Sequence, residues 1–169
     1  MIRVTEDIVD SRCIWDGPNN EFRYTLIRVW DKSKPKIAFI GLNPSVADEQ
    51  QDDNTVRKCI NIARRDGYGS MVMLNAYAYR STDPKGLTAQ FDVVGRYNDR
   101  YIAEECRSAD KIVVAWGNHA TDDRHTTLLK VLEGQQLYCF AKNNNGKPKH
   151  PLYVPLTAAL VLYSSIKTL

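Results

Sequence analysis

Apolar residues fall along this chain in two patterns: short unbroken runs, and longer stretches where they recur every three to four positions. The run Lys36-Ile37-Ala38-Phe39-Ile40 has no polar alternation, the pattern of a strand covered on both faces. Met71-Val72-Met73-Leu74 and Lys111-Ile112-Val113-Val114-Ala115-Trp116 read the same way, and Gln136-Leu137-Tyr138-Cys139-Phe140 predicts a fourth strand. Between them, Val56, Cys59, Ile60 and Ala63 lie at helical spacing, with Arg57, Lys58, Arg64 and Arg65 on the opposite face. Asp52-Asp53-Asn54-Thr55 can cap that helix and Gly67-Tyr68-Gly69 ends it. Further helices are predicted from about Asn98 to Ser108, from Asp122 to Leu132, and after Pro155. Upstream, the alternating stretch Phe22-Arg23-Tyr24-Thr25-Leu26-Ile27-Arg28-Val29-Trp30 follows the turn-forming Asp16-Gly17-Pro18-Asn19-Asn20 and predicts an N-terminal hairpin. Strands alternating with helices predict an α/β fold with a parallel sheet and right-handed crossovers.

The 169 residues, 43% hydrophobic and 25% charged, have the composition of an ordinary globular protein and predict one domain over residues 1–169. A net charge of +3 is compatible with a polyanionic partner but does not demand one. Cys13, Cys59, Cys106 and Cys139 are far apart and lack the local spacing of a zinc ribbon or iron–sulfur site, so they read as reduced thiols and no metal is expected. Acidic residues at Glu6 and Asp7 interrupt any leader-like run, and no stretch is long enough to span a bilayer. The expectation is a cytoplasmic protein without a membrane partner.

Ligands of open α/β sheets sit beyond the carboxyl ends of the strands, so the residues after each run carry the chemical interest. Gly41-Leu42-Asn43-Pro44-Ser45 follows the first run, and its Gly and Pro suit a tight turn whose backbone can approach a ligand. The second run ends in Asn75, followed by Tyr77 and Arg80; an amide offers both a donor and an acceptor to the edge of a base. The third leads into Gly117-Asn118-His119, and a late loop reads Lys147-Pro148-Lys149-His150-Pro151-Leu152-Tyr153. Each residue has a plainer reading as well. Asn43 either orients a water or stabilises its turn, since an amide is no useful general base. Asp48, Asp52 and Asp53 are the nearest carboxylates in sequence, the last two read as helix caps. Arg80, Lys147 and Lys149 suit phosphate contacts or plain solvation, and Tyr68, Tyr77 and Tyr79 suit base stacking or packing. His119 reads as a helix-start residue.

In their order, Gly41-Leu42-Asn43-Pro44, Leu74-Asn75, Trp116-Gly117-Asn118-His119-Ala120 and His150-Pro151-Leu152-Tyr153 resemble the motifs of the uracil-DNA glycosylase-like superfamily. The resemblance spans residues 37–153. It implies a three-layer α/β/α fold with a central, mainly parallel four- to five-stranded sheet, plus the N-terminal hairpin. It also implies a function: water held by Asn43 attacks the N-glycosidic bond of a modified or deaminated base, Asn75 reads the base, and His150 steadies the charge on the leaving group. Gly41, Leu42, Pro44, Ser45, Tyr77, Arg80, Gly117, Asn118, His119 and Lys149 would complete the substrate site. The partner would be a nucleobase, nucleotide or DNA, with no cofactor. Closer still, Leu42-Asn43-Pro44-Ser45, Asp53-Asn54-Thr55, Asn98-Asp99 and His150-Pro151-Leu152-Tyr153 resemble a small family of bacterial and phage proteins, family 1643 of the domains of unknown function. Two departures from the superfamily pattern, no aromatic residue across 46–60 and Leu152-Tyr153 in place of Ser-Pro, keep open a non-catalytic nucleotide- or nucleic-acid-binding module.

Overall fold

The computed structural model describes residues 2–83, 85, 87 and 92–164. Its main sheet is built from β2 (Asp10–Asp16), β3 (Phe22–Val29), β4 (Lys36–Gly41), β6 (Ser70–Asn75), β7 (Lys111–Val114), β8 (Leu137–Cys139) and β9 (Val161–Ser164). The spatial order is β2-β3-β6-β4-β7-β8-β9, and β1 (Ile2–Arg3) pairs separately with β5 (Gln51–Asp52). The helices are α1 (Asn54–Arg65), α2 (Asn98–Ser108) and α3 (Asp122–Val131).

This architecture overturns the expected mainly parallel four- to five-stranded sheet of uracil-DNA glycosylase-like type. The main sheet is mixed and seven-stranded. Antiparallel pairings join β1–β5, β2–β3, β3–β6 and β8–β9, against parallel pairings at β4–β6, β4–β7 and β7–β8. The residues expected to form an appended hairpin are an integral part of the sheet, because β3 docks alongside β6 with Leu26 opposite Met73. The alternating stretch that predicted a hairpin is buried on both faces: Arg23, Tyr24, Thr25, Leu26 and Arg28 are all buried. Arg28 is accommodated by an ion pair with Asp52 at 2.9 Å and by carbonyls of Ile27, Asp48 and Gln51. In place of the helix expected after Pro155, β9 lies antiparallel to β8, and the remainder of that stretch, residues 165–169, is outside the described residues. Val161 and Leu162 are half exposed at this sheet edge, so apolar residues there do not mark a buried helical stripe.

Two apolar clusters flank the sheet. Ile37, Phe39, Met71, Met73 and Val113 pack with Val56, Cys59, Ile60 and Ala63 of α1. Ala38, Ile40, Val72, Leu74 and Val114 pack with Ile102 and Cys106 of α2 and Leu128 of α3. Successive strand residues point to opposite faces, so burial on both sides explains why these runs carry no polar alternation. Asp53 caps α1, its Oδ1 accepting from Val56 N at 2.8 Å, while Thr121 caps α3 through a bond from Arg124 N. Such caps contribute about 1 kcal/mol each by satisfying an orphan amide.

A single irregularity sets which side chains of β3 reach the α1 side of the sheet. Along β2, Ile14 pairs with Thr25 and the next residue, Trp15, pairs with Arg23, so Tyr24 is an extra residue on β3. Leu26 packs with the α1-side cluster and Arg28 reaches Asp52; simple alternation would bring Tyr24 next to that face. The bulge brings Arg23 there instead, bonded to the Ala47 carbonyl, while Tyr24 stacks on Tyr101 of α2.

Candidate functional site

The ends of β4, β6 and β7 share one edge of the sheet, and the loops leaving them are laced together. Ala76 N donates to Gly41 O at 2.8 Å, Tyr77 N to Leu42 O at 2.9 Å, and Ser81 N to Pro44 O at 2.9 Å. Asn43 Nδ2 donates to the carbonyls of Pro44 and Ser81, at 3.0 and 2.8 Å, which occupies both amide protons and leaves Oδ1 as its free polar atom. The late loop joins through Gly117 N, which donates to Pro148 O at 2.9 Å. Gly117 has φ +76°, and a Cβ there would sit 3.1 Å from the Cβ of His150. Lys58 of α1 anchors the same loop from the other side through the carbonyls of Pro151 and Val154.

These loops and the first turn of α1 enclose a cavity of about 630 Å³. Leu42, Asn43, Ser45, Asn75, Gly117, Asn118, His119 and His150 line it, as the sequence reading expects. The other expected site residues do not. Gly41 and Pro44 shape the turn: a Cβ on Gly41 would lie 2.6 Å from Met73 Cε and 3.2 Å from Asn75 Oδ1. Tyr77 faces a second cavity and its hydroxyl accepts from Thr121 N. Arg80 lies over the Trp15 ring, 4.8 Å from its centroid. Lys149 contributes a backbone bond to Ala141 O, and Lys147 is buried against Ala120 O and Asp122 rather than free for a phosphate.

Two donors stand out. Asn75 is buried and its Nδ2 has no hydrogen-bond partner. A buried unmade amide bond destabilises a protein by about 1–3 kcal/mol, so it persists where a ligand completes it or where nothing selects against it. His150 caps the short 3-10 turn Pro151–Tyr153, its Nδ1 accepting from Leu152 N at 3.2 Å. Burial holds its pKa down at about 4, with His119 and Lys58 adding to the effect and Asp53 opposing it. The ring is therefore neutral near pH 7, and a lone pair committed at Nδ1 places the proton on Nε2.

Sequence reasoning missed several lining residues. Asp53, read as a cap, both caps α1 and lines the cavity, and it is the acidic residue among the described lining residues. Arg23 lines it because of the bulge in β3, a feature with no local sequence signature. Trp116 forms part of the wall while its indole donates to His125 Nδ1 at 3.1 Å. Tyr153, 70% exposed, supplies an aromatic ring at the rim beside His150. Among the described residues no group of three or more His, Cys, Asp or Glu is gathered where it could hold a metal ion. Cys59, Cys106 and Cys139 are buried free thiols and Cys13 is half-buried. No helix among the described residues is long and apolar enough to cross a membrane.

Fold and site together define a mixed α/β protein with a cavity of about 630 Å³ at the carboxyl ends of its parallel strands, the usual ligand position in such sheets. The chain belongs to the family described as protein of unknown function DUF1643, whose sequence model matches residues 23–152. No curated protein and no solved structure matches it.

Proposed function

We propose that this cavity recognises a nucleobase and that the protein hydrolyses the N-glycosidic bond of a modified or deaminated base. The observation carrying the reading is two polar groups on one cavity: the Asn75 amide, whose buried Nδ2 lacks a partner and whose Oδ1 is unbonded, and the Nε2–H of a neutral His150. A base with a ring carbonyl for His150 and an adjacent N–H for Asn75 Oδ1 complements that edge. The apolar parts of Leu42, Met73 and Trp116 offer walls for its faces. The order of the strand-end motifs supports kinship of the site with the uracil-DNA glycosylase-like superfamily, although the sheet differs.

In the proposed step a water oxygen bonds to the anomeric carbon as the C–N bond breaks, and the electron pair leaves with the base. Asn43 Oδ1 orients the water. Asp53, whose Oδ2 is not used by the cap, accepts its proton. His150 Nε2–H donates to the base oxygen as negative charge develops there. The departing base then takes up the proton from Asp53, which balances the reaction.

A second reading is favoured by one observation. Asn43 is bonded to two backbone carbonyls and Asp53 to a helix amide, so both also have structural work. Under it, the protein binds a nucleotide or nucleic acid without turnover. Mass spectrometry of free bases released from modified and deaminated DNAs and nucleotides separates the two readings. Wild type should release one base, with Asn43→Ala, His150→Ala and Asp53→Asn at least about 100-fold slower. Asn caps a helix about as well as Asp, so Asp53→Asn tests the carboxylate while keeping the cap. Base release unchanged in Asp53→Asn removes it as the proton acceptor. No release at all, with ligand-induced thermal stabilisation, establishes the binder; neither response refutes the nucleobase reading.

A further inference from the structure

Arg23 is 2% exposed, lines the cavity, and has no carboxylate within ion-pair distance among the described residues. Its Nη1 donates to Ala47 O at 2.8 Å, but Nε is buried without a partner. Contrast Arg28, equally buried on the same strand face, whose guanidinium is matched by Asp52 and backbone carbonyls. A buried charge without a counter-ion is strongly disfavoured, and burial pulls the Arg23 pKa down to about 10, which still leaves it cationic near neutral pH. Near neutral pH the opposing charge felt by the guanidinium is Asp53, which makes no ion pair with it, because burial keeps the Cys13 thiol protonated; Arg28 and Arg80 add like charge.

The same cavity receives the first turn of α1. Asn54, Thr55 and Val56 line it. Val56 N is taken by the Asp53 cap, whereas the amides of Asn54 and Thr55 precede the first intrahelical bond and have no acceptor among the described residues. The helix runs twelve residues and places partial positive charge at this end. An unpaired guanidinium and a helix N-terminus therefore share one enclosure, the first aimed there by a β-bulge.

We infer that the cavity contains a phosphate subsite formed by Arg23 and the first turn of α1, so that its ligand is a nucleotide rather than a free base or nucleoside. The inference rests on the nucleobase reading and adds the substrate class. Arg23 supplies its Nη2 donors to the phosphate oxygens, and the Asn54 and Thr55 amides face the same group. The Asp53 carboxylate, held by Val56 N at the same helix end, opposes an anion there, so Arg23 carries the main share of phosphate binding. A phosphate diester within a nucleic acid and the monoester of a free nucleotide share this chemistry.

The test is calorimetric binding of matched pairs, a nucleoside and its 5′-monophosphate, across pyrimidine and purine bases, to wild type and Arg23→Met. The monophosphate should bind wild type at least about tenfold more tightly than the nucleoside, and the difference should shrink to within about twofold in Arg23→Met. Should that variant fail to fold, competition in wild type serves instead: inorganic phosphate at matched ionic strength should displace the monophosphate and leave nucleoside binding unchanged. A trinucleotide that binds as tightly as the monophosphate identifies the diester as the source, and a much weaker one identifies the free nucleotide. Equal affinity for nucleoside and monophosphate overturns the phosphate subsite while leaving the nucleobase reading intact. Binding of inorganic phosphate to wild type but not to Arg23→Met, with no nucleoside or nucleotide bound, overturns the nucleobase reading and retains the subsite. A phosphate preference undiminished in Arg23→Met removes Arg23 from the subsite, and no competition by phosphate overturns the subsite.

Discussion

Replacing Asn75 with Leu should make the ligand-free protein more stable and the ligand-binding protein worse. Asn75 is 1% exposed, its Nδ2 is unpartnered, and its side chain packs near Met73 beside the Gly41 turn. Leaving such a donor unmatched destabilises the fold by about 1–3 kcal/mol, and leucine, similar in shape, removes it while adding apolar contact. The backbone carbonyl of Asn75, which accepts from Asn98 Nδ2 at 2.9 Å, is unaffected. Allowing for imperfect packing against Gly41, the net gain is about 1–2 kcal/mol. At roughly 2–4 °C per kcal/mol for a protein of this size, the melting temperature rises by about 2–8 °C. Urea unfolding of the ligand-free forms measures the first effect, and nucleotide-induced thermal shift measures the second, which should vanish. An Asn75→Leu protein less stable than wild type by about 1 kcal/mol or more would refute the reasoning, because the amide would then be serving the fold rather than awaiting a ligand.

Gly117→Ala forces a left-handed backbone on alanine, a strain of about 1–2 kcal/mol, and pushes its Cβ toward that of His150. Thermal denaturation should record that loss, and base release or ligand affinity should fall with it; unchanged affinity would separate the His150 loop from the site. His150 has a folded pKa of about 4, below its ordinary value near 6.5, so the unfolded chain takes up a proton that the folded chain refuses. Its contribution to stability, roughly 1–3 kcal/mol, is complete above pH 6.5 and is lost as the pH falls toward 4; urea titrations should show that slope, flattened in His150→Gln. Asp52→Asn leaves the buried Arg28 without its carboxylate. Carbonyls of Asp48 and Gln51 retain part of its bonding, so a loss of about 3 kcal/mol, at the low end for broken buried pairs, should appear in urea unfolding.

Apolar runs and helical spacing in the sequence located the buried strands β4, β6, β7 and β8 and the helix α1, and helices were also expected where α2 and α3 lie. Those signals are local: a strand covered on both faces must be continuously apolar, and a helix over a sheet must carry a stripe at about 3.6-residue spacing. The strand-end positions carrying Asn43, Asn75, Gly117 and His150 were legible for the same reason, since chain order places loops where strands stop. Pairing was not legible. Whether β3 joins β6, or the segment at 161–164 returns as a strand beside β8, depends on partners far apart in sequence, so the mixed sheet replaced the mainly parallel one. Nor did sequence foretell which side chains the site would take. Arg80 and Tyr77 neighbour the cavity in sequence but are held by Trp15 and Thr121, whereas Asp53 arrives on a helix cap and Arg23 through an extra residue in β3. A one-residue bulge exchanges the faces of a strand, and only pairing with its neighbour decides where that exchange falls.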